Sequence, residues 1–282
     1  MKSEILPDYR QRAMRVEVFK DTLARIEAED DLRQAVSRSI ETQQFIAEGA
    51  DVAPPGPPYA EPAAVAVTRN RSFEAARVHA GKGLRTAVLN FASSTSPGGG
   101  VTRGASAQEE SLCRVSTLYP CLKDGRMWNL FYAPHRRAKN PLHNDDIIYT
   151  KDVLVLKDDD YRPLEKPFAV DVVTCAAPNL RESASNAYNP DDGERADIAP
   201  AELLALHERR GRRILAAAAA NGAQALVLGA FGCGAFRNDP AIVARAYANV
   251  LPAFRRQFRT IEFAVFCGPR STRNYDAFRA IG

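Results

Sequence analysis

The strongest constraint on the fold lies in four short runs that are almost continuously apolar: AVLNFA at 87–92, FAVDVVTCAA at 168–177, ALVLGAF at 225–231 and EFAVFC at 262–267. A strand with one wet face alternates apolar and polar residues, whereas a strand covered on both faces does not. Strands are accordingly expected at 64–68, 86–92, 147–156, 168–176, 225–231 and 261–267. Between them, helices are expected at 72–80, closed by Gly81, at 108–118, stopped near Pro120, at 200–220, closed by Asn221 and Gly222, and at 240–258, with a short one after Ser271. Such alternation gives an α/β fold, a three-layer α/β/α sandwich with a mixed central sheet, because the βα units are too few for an eightfold barrel. The stretches 157–160 and 181–196 read as surface loops, and the alanine run 216–220 as a close-packed helix.

Ahead of this pattern, residues 1–50 are charged and poor in glycine, with Met14, Val18, Ile26, Val36 and Ile40 at loosely helical spacing. They form an N-terminal helical segment expected to pack on the main domain and to end at Gly49. The proline-rich stretch 51–62 forbids helix and serves as an extended connector, and 63–282 form the main domain.

With 45% hydrophobic residues the chain is too apolar for a disordered protein. A formal net charge of +4 neither demands duplex DNA nor excludes an anionic ligand, and no sequence-specific nucleic-acid binding is expected. Cys113, Cys121, Cys175, Cys233 and Cys267 are scattered without CxxC or Cys/His zinc spacing, so reduced thiols and no metal are expected. No segment approaches the ~18 to 20 apolar residues of a membrane span, and charges interrupt the first apolar runs as they would not in a signal peptide. The expectation is a soluble, cytoplasmic protein without membrane contact. His79, His135, His143 and His207 are dispersed and receive no role.

Chemistry concentrates at 88–120, VLNFASSTSPGGGVTRGASAQEESLCRVSTLYP. The run Gly98, Gly99, Gly100 follows the end of an apolar strand and precedes a helix start, a place where backbone N–H groups receive phosphate or pyrophosphate. Glu109 and Glu110 open that helix after Gln108. Acids in a first turn favour the helix dipole in any protein. Neighbours on a helix point about 100° apart, however, so these two cannot flank one bond as a glycosidase pair and must differ in their work. Burial and mutual repulsion would hold one of them protonated as a general acid, leaving the other charged to fix a sugar hydroxyl. Gln108 offers an amide to orient either carboxylate or to bind the ribose.

A second glycine element, GAFGCGAFRNDP at 229–240, also joins a strand to a helix, and two such loops in one sheet can clasp a diphosphate. Phe231 and Phe236 flank it and are candidates to pack on ribose or base, as is Phe266 at the last strand end. Cys233, between two glycines and without a neighbouring His, reads as a small residue required by space. A nucleotide kinase would need GxxxxGK[ST], and none is present.

PGGGVTRGASAQEES resembles the GGG…QEE signature of poly(ADP-ribose) glycohydrolases of the bacterial type, and GCGAFRNDP resembles their diphosphate loop. The resemblance covers roughly residues 60 to 282. It implies a macrodomain-like catalytic domain that binds the terminal ADP-ribose of poly(ADP-ribose), free or on modified proteins, and hydrolyses the ribose–ribose O-glycosidic bond without a metal or redox cofactor. By motif position it implies Glu110 as general acid and then base, and Glu109 as the holder of ribose hydroxyls. It assigns Gly98, Gly99, Gly100 and Val101, with Gly232, Cys233, Gly234, Ala235 and Phe236, to the diphosphate, and points to Asn90 at the strand end and Phe266 against adenine. Ser93 and Ser94 stand where some relatives carry Asn. Trimming from chain ends is the mode implied. The alternatives are an ADP-ribose-binding reader, which leaves both acids without work, and a mono-ADP-ribosyl hydrolase.

Overall fold

The computed structural model describes residues 8–52, 59–268 and 271–281. The first seven residues of the N-terminal segment, half of the proline-rich connector (53–58), residues 269–270 and Gly282 fall outside them. In chain order the elements are α1 (Asp8–Ala28), α2 (Asp30–Thr42), β1 (Gln44–Ile46), β2 (Ala64–Thr68), α3 (Ser72–Gly81), β3 (Thr86–Phe91), α4 (Gln108–Val115), α5 (Leu118–Leu122), α6 (Gly125–Met127) and α7 (Ala133–Ala138). There follow β4 (Ile147–Lys157), β5 (Pro163–Cys175), α8 (Pro200–Ala220), β6 (Ala225–Leu228), α9 (Pro240–Val250), β7 (Thr260–Ala264) and α10 (Arg273–Phe278).

Among the described residues seven strands form one mixed sheet in the order β1-β4-β5-β3-β6-β7-β2. β1, β4 and β5 pair antiparallel, and every pair from β5 to β2 is parallel. The layers explain the apolar runs. In β3, Ala87 and Leu89 face the core beneath α8 and α9, while Val88 faces the opposite core beneath α3, α4 and α5. Leu226 and Leu228 against Val227 in β6, and Val173 and Cys175 against Val172 in β5, repeat the division. Each such Val or Leu side chain taken from water stabilises the fold by about 1.5–3 kcal/mol. Asp171 interrupts the apolar run of β5, 2% exposed, and is held by Arg85 at 2.8 Å and by the Tyr149 hydroxyl at 2.7 Å.

Several boundaries move, each for a local reason. β6 and β7 stop at Leu228 and Ala264, short of the expected ends, yet Phe231 and Val265 stay in the core, so hydrophobicity continues where pairing does not. The helix expected over 108–118 breaks at Ser116, whose extended backbone bridges Val155. Pro120 then lies in the first turn of α5, where its missing N–H has no helical partner to lose. α9 ends at Val250 and passes into tight turns around Pro252. Helices α5 to α7 carry no strong periodic signal, and β5 begins at Pro163 because it forms a long bulged hairpin with β4.

The segment read as wholly helical contributes an edge strand, β1, and its helices sit against the main body. The Phe19 ring meets Tyr119 edge-on at 4.9 Å, and Thr22 Oγ1 donates to the Arg114 carbonyl at 2.7 Å. Lys157, expected in a surface loop, is 3% exposed and donates to Val18 O and Thr22 Oγ1 of α1. The polar stretch 181–196 is not simply a surface loop either, since Asn189 and Asp192 are buried. Asp192 accepts from Ser94 Oγ at 3.1 Å, His143 Nε2 at 2.7 Å and Asn179 Nδ2 at 2.5 Å, which pins the loop beside the glycine run. Among the described residues no helix is long and apolar enough to cross a membrane.

Candidate active site

A cleft of about 550 Å³ opens where β3, β6 and β7 end, a size suited to a small-molecule ligand. Its floor is made by two glycine loops and the first turn of α4. Gly98 and Gly99 both take positive φ, +67° and +57°, which side-chain-bearing residues rarely adopt. The turn brings the main chain onto the glutamates: a Cβ on Gly99 would stand 2.6 Å from Glu110 Oε1 and 3.2 Å from Glu109 Oε2.

Gln108 locks α4 to the end of β3. Its Oε1 accepts from Phe91 N at 2.9 Å, and its Nε2 donates to Leu89 O at 2.8 Å and Ser72 Oγ at 3.0 Å. The amide is thus engaged by the strand backbone, and neither carboxylate receives it. Glu109, 3% exposed, accepts from Ser93 N at 2.8 Å and Asn90 Nδ2 at 3.3 Å. Glu110, 7% exposed, accepts from Gly100 N at 2.8 Å through Oε1, while its buried Oε2 has no partner.

Burial pushes both carboxyls above their ordinary value, Glu109 further because it is wholly enclosed and feels the charge of Glu110. The donors at Ser93 and Asn90 oppose the rise at Glu109, and Gly100 N and the Arg114 cation oppose it at Glu110. The expectation that burial would raise one of the two is met by a rise in both. Every donor on Glu109 favours its charged form, whereas Glu110 keeps one oxygen uncommitted.

The second loop turns at Gly232, φ +76°, where a Cβ would meet Ala177 at 2.6 Å and the Asn238 amide at 2.7 Å. Asn238 braces it by donating to Gly232 O at 3.1 Å and Pro178 O at 2.7 Å. Gly234, Ala235 and Phe236 then face the cleft. Cys233 is half-buried with its thiol pushed up by burial, the opposite of an activated nucleophile.

The cleft therefore gathers Gly99, Gln108, Glu109, Glu110, Gly232, Gly234, Ala235, Phe236 and Phe266. Phe266 is 52% exposed, with the Arg71 guanidinium 4.1 Å above its ring. The other candidates stand behind the wall. Asn90 is buried between Glu109 and Thr174, Val101 lies in the core, and Gly98 and Gly100 press against Tyr119 and Tyr188. Phe231 is a correction to its reading as a ligand-packing ring: at 1% exposure it packs edge-on to Phe91 and His207, and Phe91 reaches the cleft instead.

Residues that local motifs did not reveal come from distant segments. Asn189 accepts from Ser93 Oγ at 2.6 Å, Tyr188 covers Gly100, and Arg15, Arg71, Asp159 and Tyr161 complete the walls. Burial raises the Asp159 carboxyl to about 6, with Arg71 opposing. Asparagines in the polar stretch 181–196 are the one signal that could have drawn attention to that wall.

A family model described as microbial-type PARG, catalytic domain, matches residues 16–158. Poly(ADP-ribose) glycohydrolase from Thermomonospora curvata superposes with a TM-score of 0.82 at 31% identity, covering 96% of this chain and 100% of that one. The same glycohydrolase bound to the inhibitor ADP-HPD superposes with a TM-score of 0.78 at 32% identity, over 95% of this chain and 98% of that one. Poly(ADP-ribose) glycohydrolase from Deinococcus radiodurans in complex with ADP-ribose gives 0.74 at 32% identity, over 87% of this chain and 96% of that one. No curated protein sequence matches this chain. The likeness thus extends over nearly the whole described structure, the sandwich as well as the glycine loops.

Proposed function

This chain belongs to the microbial-type poly(ADP-ribose) glycohydrolases, and we propose that it performs their hydrolysis with Glu110 as the proton-transferring group and releases ADP-ribose from chain ends. It is a glycosidase that binds ADP-ribose. The observation that carries the proposed role is the unpartnered, buried Oε2 of Glu110, on a carboxyl whose pKa burial has raised. Burial favours the protonated form of such a group, and its free oxygen can deliver the proton.

In this reading Glu110 donates its proton to the glycosidic oxygen as the bond to C1″ of the bound ribose breaks. The departing ribose leaves with a restored hydroxyl. Glu110, now a carboxylate, takes a proton from the water that attacks C1″, which regenerates the acid. Glu109, held by Ser93 N and Asn90 Nδ2, accepts hydrogen bonds from hydroxyls of the scissile ribose. The diphosphate lies against Gly99 and the second loop at Gly232, Gly234, Ala235 and Phe236, where its negative charge stabilises the oxocarbenium-like transition state. Phe266 offers its exposed face to the adenine, and Phe236 packs beside the ligand.

Cleavage from ends is supported by the wall that Tyr188 and Asn189 raise beside Gly100 and Ser93. Poly(ADP-ribosyl)ated proteins are the proposed macromolecular partners, reached through the polymer and not through nucleic-acid sequence. An ADP-ribose reader would gain nothing from burying two carboxylates, since each costs stability. The test is a time course on labelled poly(ADP-ribose) with products resolved by size. Free ADP-ribose from the first time points is expected. Binding of ADP-ribose without release would make the protein a reader, and early short oligomers would replace end trimming by internal cleavage.

A further inference from the structure

Arg15 is the residue of α1 that lines the cleft. It is 8% exposed, donates through Nε to Gly104 O at 2.6 Å, and has the exposed Asp8 carboxylate 3.9 Å from Nη2. Beside it, Arg114 is fully buried, donating through Nε to Arg15 O at 3.2 Å and through Nη2 to Ala105 O. Its Nη1 has no partner, and among the described residues it makes no ion pair. The Arg114 guanidinium lies 5.7 Å from the ring centroid of Tyr161, which lines the cleft with Ser111. Two adjacent guanidiniums repel, and burying a cation without a counter-ion is costly. Arg15 lines the cleft and Arg114 stands fully buried behind it, with Glu110 one turn away on α4 and Asp159 on the cleft wall as the other nearby acids.

The glycine loops account for the diphosphate of the unit being released. The ribose that departs belongs to the next unit of the polymer and carries a second diphosphate. One helical turn, about 5.4 Å, separates Arg114 from the group proposed to protonate the bond, about the span of a ribose ring. We propose that Arg15, with Ser111 and Tyr161 on the same wall and the buried Arg114 cation behind them, forms an anion subsite for the diphosphate of the penultimate ADP-ribose unit. The inference rests on the glycohydrolase reading above, and it gives the N-terminal helix a part in substrate selection.

The test compares ADP-ribose oligomers with an ADP-ribose 1″-aryl glycoside, which has the same scissile ribose but no second diphosphate. In Arg15→Gln, KM for oligomers should rise about five- to tenfold, the scale of one charge-assisted contact. The KM for the aryl glycoside and the calorimetric Kd for free ADP-ribose should stay unchanged, and Arg15→Lys should recover most of the loss. In the wild type, which needs no variant to fold, added salt should lower kcat/KM more steeply for oligomers than for the aryl glycoside. Equal salt dependence, an unchanged oligomer KM in Arg15→Gln, or a parallel loss of ADP-ribose affinity would overturn the subsite. Turnover of neither substrate by the wild type would overturn the glycohydrolase reading and the subsite with it.

Discussion

Glu110 divides its two oxygens between the glycine run and the cleft, and its raised pKa ties stability to pH. Below the ordinary value of 4.5 the carboxyl is protonated in folded and unfolded chains alike. As pH rises past that value the unfolded chain releases its proton first, so the folded state is progressively penalised until pH exceeds the folded pKa. Glutamine has no such proton and keeps an oxygen for Gly100 N. Glu110→Gln should therefore melt higher than the wild type at neutral pH, by about 2 °C or more, with the gap closing near pH 4. A gap independent of pH in thermal melts would show that the folded carboxyl is not shifted upward.

At the scale of elements, the β3 end, the glycine run and α4 form one unit stitched by Gln108, Ser93 N and Gly100 N. Gly99 is where this unit closes on the two carboxylates. Gly99→Ala places a methyl against both carboxylates in a backbone conformation that alanine resists, a strain of about 1–3 kcal/mol. ADP-ribose affinity should fall about tenfold or more while the melting temperature drops only a few degrees, since the loop lies outside the two cores. Calorimetry paired with thermal melts checks this, and an unchanged Kd would contradict it. Much of this unit was legible in the sequence, because a glycine run between an apolar strand and an acidic helix start is a local pattern. The break at Ser116 was hidden, since it is set by pairing with Val155, distant in the sequence and invisible to helical periodicity. Phe231 misled for a related reason: an apolar residue after a strand looks the same whether it turns to the ligand or to the core.

For the molecule as a whole, the two faces of the sheet could be read from uninterrupted apolar runs, but the outer shell could not. Arg15, Asn189, Tyr188 and Asp159 reach the cleft only through tertiary folding, and β1 owes its existence to the edge of β4. We propose that the N-terminal segment and the main domain unfold together, because Phe19, Thr22 and the carbonyls of Arg15 and Val18 interlock with Tyr119, Arg114 and Lys157. Calorimetry should record one cooperative transition, and two separate ones would contradict that coupling.

The most direct test of the central claim is the rate of ADP-ribose release from labelled poly(ADP-ribose) by Glu110→Gln, measured beside its calorimetric Kd for ADP-ribose. Loss of general acid–base help should lower the rate by about 10²–10⁴-fold, with affinity close to that of the wild type because the ligand is held mainly by backbone donors. A variant that turns over near the wild-type rate would remove Glu110 from the chemistry.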